Sequence, residues 1–138
     1  MTTQYWLVKS EPAAYSWADF VRDGRTAWTG VRNNAARLHL KAMRRGDAVL
    51  FYHSNDGKCV VGTARVTKTA FPDLTADEAG WVAVELAPVA PLARPVALAE
   101  IKADPRLSKM ELVRQSRLSV SPVQPDEFAR IRALSKSK

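Results

Sequence analysis

Cysteine is nearly absent from this 138-residue sequence, and so are long apolar runs. The single Cys59 has no second cysteine to pair with, so nothing indicates an oxidising compartment. No apolar stretch approaches the roughly 18 residues of a membrane-spanning helix. The first residues do not show the basic start and apolar run that are typical of a signal peptide, so none is indicated. We therefore expect a cytoplasmic protein that has no membrane partner.

Residues that commonly carry catalysis or bind metals are also scarce. His39, His53 and Cys59 do not show the paired spacing of a metal site. The six glycines are scattered and form no phosphate-binding loop. Lys9 and Ser10 are neighbours on a predicted strand, where adjacent side chains point to opposite faces, so they are not expected to form a nucleophile pair. The sequence thus predicts no metal, no cofactor and no catalytic residue.

Acidic residues are outnumbered, 14 against 21 lysines and arginines, which gives a formal charge of +7. One basic cluster contains no acid and consists of Arg32, Arg37, Lys41, Arg44 and Arg45. A second cluster has acids between its members, which are Lys102, Arg106, Lys109, Arg114 and Arg117. Such clusters favour an anionic partner, most often nucleic acid. A merely solvated basic surface would have the same composition.

One domain of the α+β class, rich in strands, is predicted over residues 1–138. Strands are indicated at 5–8, 48–52, 59–67, 81–89 and 118–123, with Pro88 and Pro91 expected to end the fourth. Short helices are indicated after Ser16, after Asn33 or Asn34, at 98–102, at 109–115 and from Pro125. Hairpin signals outnumber crossover signals, so we expect a small, mixed but mostly antiparallel β-barrel decorated by short helices. The polar tail at 135–138 is expected to be frayed.

Two tryptophans stand close to polar residues at the ends of predicted elements. Trp6 precedes Lys9 and Ser10, and Trp28 precedes Asn33. Each tryptophan alone is typical of a core. Buried polar groups, however, cost about 1–3 kcal/mol each unless they are paired, so this combination favours a planar, polar ligand. A nucleobase fits, because stacking on aromatic rings contributes about 1–3 kcal/mol per base.

Five sequence blocks occur in a distinctive order along the chain. They are YWLVKSEP at 5–12, WTGVRN at 28–33, MRRGD at 43–47, FYHSN at 51–55 and RLSVSPV at 117–123. With these blocks the chain resembles the EVE domain family over about residues 3 to 134. The resemblance implies a PUA-like fold, a small barrel related to YTH domains, that holds a flipped-out modified base of the modified-cytosine class. Thr29 and the Leu38-His39 pair depart from the commoner family residues. Thr29 stands where many relatives carry an acidic residue, which removes a possible charged acceptor near the pocket, so the ligand preference is expected to differ.

The blocks that match the pocket-forming motifs of the family supply the predicted ligand site. We predict that the base is contacted by Trp6, Lys9, Ser10, Trp28, Asn33, His53, Ser54 and Ser119. Among these, Trp6 and Trp28 are expected to form two aromatic walls. Contacts to phosphate or backbone are predicted for Arg32, Arg37, Lys41 and Arg117.

Together these observations predict a non-catalytic module that binds nucleic acid, with modified DNA favoured. One alternative is an RNA-binding PUA-like module, which the 2′-hydroxyl would distinguish. The other is an enzyme acting on a nucleotide-like small molecule, for which His53 is the side chain with a suitable ordinary pKa. The sequence does not indicate an oligomeric state.

Overall fold

The computed structural model describes residues 3–55 and 57–136 and has six strands and five helices in this part of the chain. The strands are β1 (Tyr5–Ser10), β2 (Thr26–Ala27), β3 (Ala48–His53), β4 (Cys59–Pro72), β5 (Val82–Ala97) and β6 (Val120–Val123). The helices are α1 (Trp17–Asp23), α2 (Asn34–Ala42), α3 (Leu98–Ala103), α4 (Glu111–Arg114) and α5 (Pro125–Lys136), with a 3-10 turn at Pro105–Leu107. The predicted α+β class is confirmed.

The strands form one sheet in the order β2-β5-β4-β3-β1-β6. Only the β1–β3 pair is parallel among the described strands, and the remaining pairs are antiparallel. The predicted closed barrel is not confirmed, because within residues 3–55 and 57–136 the two end strands β2 and β6 do not pair with each other. The two-residue length of β2 gives a physical reason, since it leaves few backbone groups for a further partner.

The prediction that Pro88 and Pro91 end the strand at 81–89 is wrong, since the corresponding strand β5 continues to Ala97. Proline lacks the N–H that a central strand must donate, so it is tolerated at sheet edges and bulges. Both conditions hold here. The short β2 reaches only Leu86, which leaves the rest of β5 paired with β4 alone, and the β4–β5 register shifts between Thr63 and Ala64, beside Pro88.

Alternating side chains divide the core into two layers, one on each face of the sheet. In β1, Trp6 and Val8 pack on the face that α1 and α2 cover, whereas Leu7 packs on the opposite face against α3, α4 and α5. The close approach of Trp17 to Gly62 shows how tight the first layer is. A Cβ at Gly62 would lie 2.5 Å from the Trp17 ring, so only glycine fits there without movement.

Polar caps fix the starts of α1 and α2, as the sequence predicts. The Ser16 hydroxyl accepts from the Asp19 N–H, and the Asp19 carboxylate accepts from the Ser16 N–H. The Asn33 side-chain oxygen accepts from the Ala36 N–H at 2.9 Å. At the other end of the chain, α5 runs to Lys136 and Ser135 is buried, so the first two residues of the predicted frayed tail lie within this helix. Residues 137 and 138 lie outside the described part.

Candidate functional site

A cleft of about 620 Å³ lies where the end of β1 with the segment after it, the segment from β2 to α2 and the residue before β6 meet. Its volume is typical of a pocket for a small organic ligand. It is lined by Lys9, Ser10, Glu11, Ala14, Tyr15, Thr26, Ala27, Trp28, Thr29, Gly30, Val31, Arg32, Asn33 and Ser119. Six of the predicted site residues are therefore in one place: Lys9, Ser10, Trp28, Arg32, Asn33 and Ser119.

Trp28 forms the aromatic floor of this cleft. The residue is only 8% exposed, and its ring meets Phe51 edge-to-face with 5.6 Å between centroids. Its indole N–H has no hydrogen-bond acceptor among the described residues. The nitrogen is also not fully buried. This N–H donor therefore keeps some exposure at the protein surface and is not used within the described part of the fold.

Tyr15 is a second aromatic lining residue, which was not predicted from the sequence. Its ring lies 6.3 Å from that of Trp28 in an edge-to-face arrangement, and its hydroxyl donates to the Asp23 carboxylate at 2.8 Å. Burial, with a smaller contribution from Asp23, raises the pKa of the Tyr15 phenol. Its position directly before the Ser16 cap, with Phe20 five residues later, is a hydrophobic staple, and this signal is readable in the sequence.

Ser10 and Asn33 offer opposite hydrogen-bonding groups to the cleft. The Ser10 hydroxyl donates to the Tyr15 carbonyl at 2.6 Å, so the lone pairs of its oxygen remain to accept from a ligand. The Asn33 side-chain oxygen is used in capping α2, so its amide NH₂ remains to donate. One acceptor and one donor near an aromatic floor can recognise the edge of a heterocycle.

Lys9 brings a positive charge to the edge of the cleft. Its ammonium donates to the Ser116 carbonyl at 2.7 Å and lies 5.9 Å from the centre of the Tyr52 ring. Within residues 3–55 and 57–136, no carboxylate forms an ion pair with it. Burial lowers the pKa of Lys9. An anionic ligand would therefore find a half-buried cation without a counter-ion.

The wall that contains Gly30 and Arg32 is held by a buried carboxylate, Asp73. One Asp73 oxygen accepts from the Gly30 N–H and from the Arg32 guanidinium, each at 2.9 Å. The other accepts from the N–H and hydroxyl of Thr75. Burial alone would raise the pKa of Asp73, but the bonds from Thr75, Gly30 and Arg32 outweigh it and hold the pKa far below its usual range. Gly30 has a φ of +83°, which favours glycine, so backbone and carboxylate together fix this wall.

Sequence reasoning did not find Asp73, although part of its signal is local. The bond from the Thr75 N–H makes an Asx turn, which Asp followed by Thr two positions later permits. Its bonds to Gly30 and Arg32 cross more than 40 positions. No local pattern in a single sequence specifies those partners.

The structure does not bring Trp6 to the cleft, so the predicted pair of walls, Trp6 and Trp28, is not formed. Trp6 is 6% exposed, and its indole N–H donates to the buried Asp47 carboxylate at 2.9 Å. The same carboxylate accepts from the backbone N–H groups of Gln4 and Arg44. The physical reason for the correction is this internal acceptor, which satisfies the indole within the core.

Substituting Trp6 with phenylalanine is expected to lower the free energy of unfolding by about 2 kcal/mol, because the buried Asp47 loses a donor and the core loses volume. Ligand affinity should be unchanged at temperatures where the variant is fully folded. Denaturant unfolding and oligonucleotide titration of the same preparation check both points. A loss of affinity in the folded variant would return Trp6 to the binding site.

His53 and Ser54 also lie outside the cleft. The His53 Nε2 accepts from the Trp17 backbone N–H at 3.0 Å, which ties the end of β3 to the start of α1. Burial lowers the pKa of His53, so the ring is neutral and its acceptor is already used at neutral pH. Ser54 lines a smaller cavity next to the cleft, and its N–H donates to the Ser10 carbonyl at 2.9 Å.

The four residues predicted to contact phosphate differ in where they lie and in what they already contact. Arg32 lines the cleft, but Asp73 already pairs with its guanidinium. Arg37 lies outside the cleft lining and stacks on Trp81, with its guanidinium 4.6 Å from the ring centre. Lys41 and Arg117 are exposed and do not line the cleft. Their contact with a nucleic-acid backbone stays a prediction.

Two further expectations concern metals and membranes. Among residues 3–55 and 57–136, no group of three or more His, Cys, Asp or Glu side chains is placed to hold a metal ion. In the same part of the chain, every helix is too short or too polar to span a bilayer.

Comparison with known proteins shows which family this architecture belongs to. The sequence profile of the EVE domain matches residues 4–134. Mouse thymocyte nuclear protein 1 is 32% identical over 170 aligned residues, which cover 99% of this chain and 75% of the mouse protein. A structurally characterised protein of Rhodopseudomonas palustris is 47% identical with a TM-score of 0.91, covering 96% of this chain and 93% of that chain. Human THYN1 protein, solved in complex with DNA containing 5-methylcytosine, is 29% identical with a TM-score of 0.93, covering 99% of each chain.

A more distant similarity concerns the fold alone. The YTH domain of the Zygosaccharomyces rouxii MRB1 protein, solved with N6-methyladenosine RNA, is 17% identical with a TM-score of 0.62, covering 98% of this chain and 88% of that chain. It agrees with the predicted relation of the fold to YTH domains. The profile match and the close relatives together span nearly the whole sequence. This chain therefore belongs to the EVE domain family.

Proposed function

We propose that this protein is a nucleic-acid-binding module that holds a modified base, of the modified-cytosine class in DNA, in the cleft above Trp28. The observation that carries this function is the cleft lined by Trp28, Ser10 and Asn33, in which the indole N–H of Trp28 has no acceptor among the described residues. In the free protein, water can hydrate this accessible N–H. A planar ligand with an acceptor on its edge can take the place of that water and keep the donor paired.

The human relative supports the choice of ligand class. That protein was solved in complex with DNA containing 5-methylcytosine, and its fold superimposes on nearly all of this chain. The present cleft offers the groups that such a base needs: an aromatic floor, the Ser10 acceptor and the Asn33 donor. Base-edge hydrogen bonds can then distinguish one base from another.

A base reaches such a cleft only after it leaves the helix stack. Flipping costs a few kcal/mol and costs least where the base is mismatched or already single-stranded. The formal charge of +7 and the ammonium of Lys9, which has no carboxylate partner among the described residues, favour binding of the strand that carries the base. We therefore expect single-stranded or mismatched modified DNA to bind more tightly than an unmodified duplex.

This function needs no catalytic step. His53, the candidate general base of the enzyme alternative, already accepts from the Trp17 N–H and does not line the cleft. The hydroxyl proton of Ser10 is likewise engaged by the Tyr15 carbonyl. These contacts favour a binding role over turnover of a nucleotide-like substrate.

Fluorescence titrations with matched oligonucleotides test the proposed function. A single strand with one 5-methylcytosine should bind about tenfold more tightly than its unmodified counterpart, as expected for one extra well-placed interaction of about 1.4 kcal/mol. The affinity should fall as salt rises, because bound phosphates release counter-ions. Equal affinities for modified and plain strands, with no salt dependence, would contradict it. The same sequence as RNA separates a DNA reader from an RNA reader.

A further inference from the structure

A smaller cavity of about 210 Å³ adjoins the cleft and shares Lys9 with it. It is lined by Lys9, Tyr52, Ser54, Asn55, Lys58, Leu98, Leu112 and Ser116. Its volume is below the usual range for a small-molecule pocket. It therefore suits a compact group attached to a ligand in the cleft better than a second base.

Charge distinguishes the two cavities. The larger cleft includes the Glu11 carboxylate in its lining. The smaller cavity has two lysines, Lys9 and Lys58, and no acid among the described residues that line it. Arg32 also lines the cleft but is already paired with Asp73, so the remaining charges there, Lys9 and Glu11, offset each other. The smaller cavity therefore attracts a phosphate more strongly than the cleft does. This difference suits a neutral base in the cleft and an anionic phosphate in the smaller cavity.

Lys9 supplies a cation that lacks a full set of acceptors. Its ammonium has three N–H donors, and the structure gives one acceptor, the Ser116 carbonyl at 2.7 Å. The group is half-buried and has no carboxylate partner within residues 3–55 and 57–136. A phosphate oxygen supplies both a counter-charge and a hydrogen-bond acceptor.

Hydrogen bonds hold the two cavities at a fixed separation. The Ser54 N–H donates to the Ser10 carbonyl at 2.9 Å, which joins a residue of the smaller cavity to a residue of the cleft. The Asn55 side-chain amide donates to the Glu11 carboxylate at 2.7 Å and makes a second link. The relative position of a base and its phosphate can therefore be recognised as one unit.

We propose that the smaller cavity binds the backbone phosphate next to the base held in the cleft, with Lys9 and Lys58 as its cationic contacts. This inference rests on the proposed function, because it takes the base in the cleft as the neighbouring group. It adds a specific consequence. The protein recognises a base as part of a strand, and a free nucleobase or nucleoside lacks one of the two contacts.

Neutralising single phosphates in the ligand tests this site. A short single strand with one 5-methylcytosine is compared with strands carrying a neutral methylphosphonate at the linkage 5′ to that base, 3′ to it, or several nucleotides away. One of the two adjacent substitutions should weaken binding about tenfold, the size of one charge-assisted contact. The distant substitution should change affinity about twofold at most, as expected for a weak, screened charge.

A lysine variant and a matched control test whether the affinity lost with the methylphosphonate depends on the smaller cavity. Lys58→Gln should weaken binding of the all-phosphate strand about tenfold and binding of the sensitive methylphosphonate strand hardly at all. The reason is that the free-energy effects of changing two groups that contact each other are not additive. Lys68→Gln makes the same change of net charge at a lysine that already lies 3.8 Å from Glu85 and lines neither cavity. It should leave both affinities close to those of the unchanged protein.

The outcomes separate failure of this site from failure of the proposed function. If the modified strand is preferred over the plain strand but neither adjacent methylphosphonate weakens binding, the phosphate site is wrong and the base site stands. If Lys58→Gln and Lys68→Gln lower the affinity for the all-phosphate strand equally, the proposed phosphate site is also wrong. If no modified strand is preferred, both inferences are wrong.

Discussion

Replacing Trp28 with leucine is expected to weaken binding of a strand containing 5-methylcytosine about 100-fold, near the upper end of the stacking contribution of an aromatic side chain. The variant removes both the indole floor and its N–H donor, the group that has no partner among the described residues. Isothermal titration calorimetry against the modified single strand measures the change. Affinity for an unmodified strand should fall less, because its binding depends mainly on phosphate contacts.

Conservative variants separate the contribution of the aromatic ring of Trp28 from that of its N–H donor. Trp28→Phe keeps an aromatic ring and removes the N–H donor, so it should weaken binding about tenfold, the size of one hydrogen bond. Trp6→Phe removes an indole that is already bonded to Asp47 and should leave affinity unchanged. Trp28 is also part of the core, so the titrations are made well below the melting temperature of each variant. If Trp28→Leu remains folded and binds normally, the cleft is not the base site.

Local signals made much of the fold predictable from the sequence. The caps at Ser16 and Asn33 and the alternation in β1 need information from only a few neighbouring residues. The extent of β5 was not predictable in this way. Its prolines are tolerated because β2 is too short to cover that part of the strand and because the pairing with β4 is irregular. Both causes depend on where other strands lie.

The candidate site shows the same division between local and distant information. Lys9, Ser10 and Asn33 were predictable because they lie in short motifs that form the lining directly. Trp6 and Trp28 look alike in sequence, since each is an indole beside polar residues. What separates them is the Asp47 carboxylate, which lies 41 positions from Trp6 and satisfies only that indole. A tryptophan becomes available to a ligand when the fold leaves its N–H without an acceptor.

Removal of the Asp73 carboxylate is expected to destabilise the protein strongly. Asp73→Ala should lower the free energy of unfolding by about 3 kcal/mol, since breaking a buried ion pair leaves its remaining partners unsatisfied. Here those partners are the Arg32 guanidinium, the Gly30 N–H and Thr75. Two of them belong to one cleft wall. The variant should therefore also bind modified DNA less tightly at temperatures where it is folded.

The pH dependence of stability distinguishes the Asp73 carboxylate from a merely shape-filling residue. Its pKa is lower in the folded protein than in the unfolded chain, so below about pH 5 the unfolded state binds more protons and this contribution shrinks. Denaturant unfolding between pH 7 and pH 3 should show the full difference between the wild type and Asp73→Asn at neutral pH. The difference should narrow as the pH falls through the ordinary aspartate value of about 3.9. Asp77→Asn, the same substitution at an exposed aspartate, should show little difference at any pH. A constant difference for Asp73→Asn across this range would mean that packing, and not the charge, holds the cleft wall.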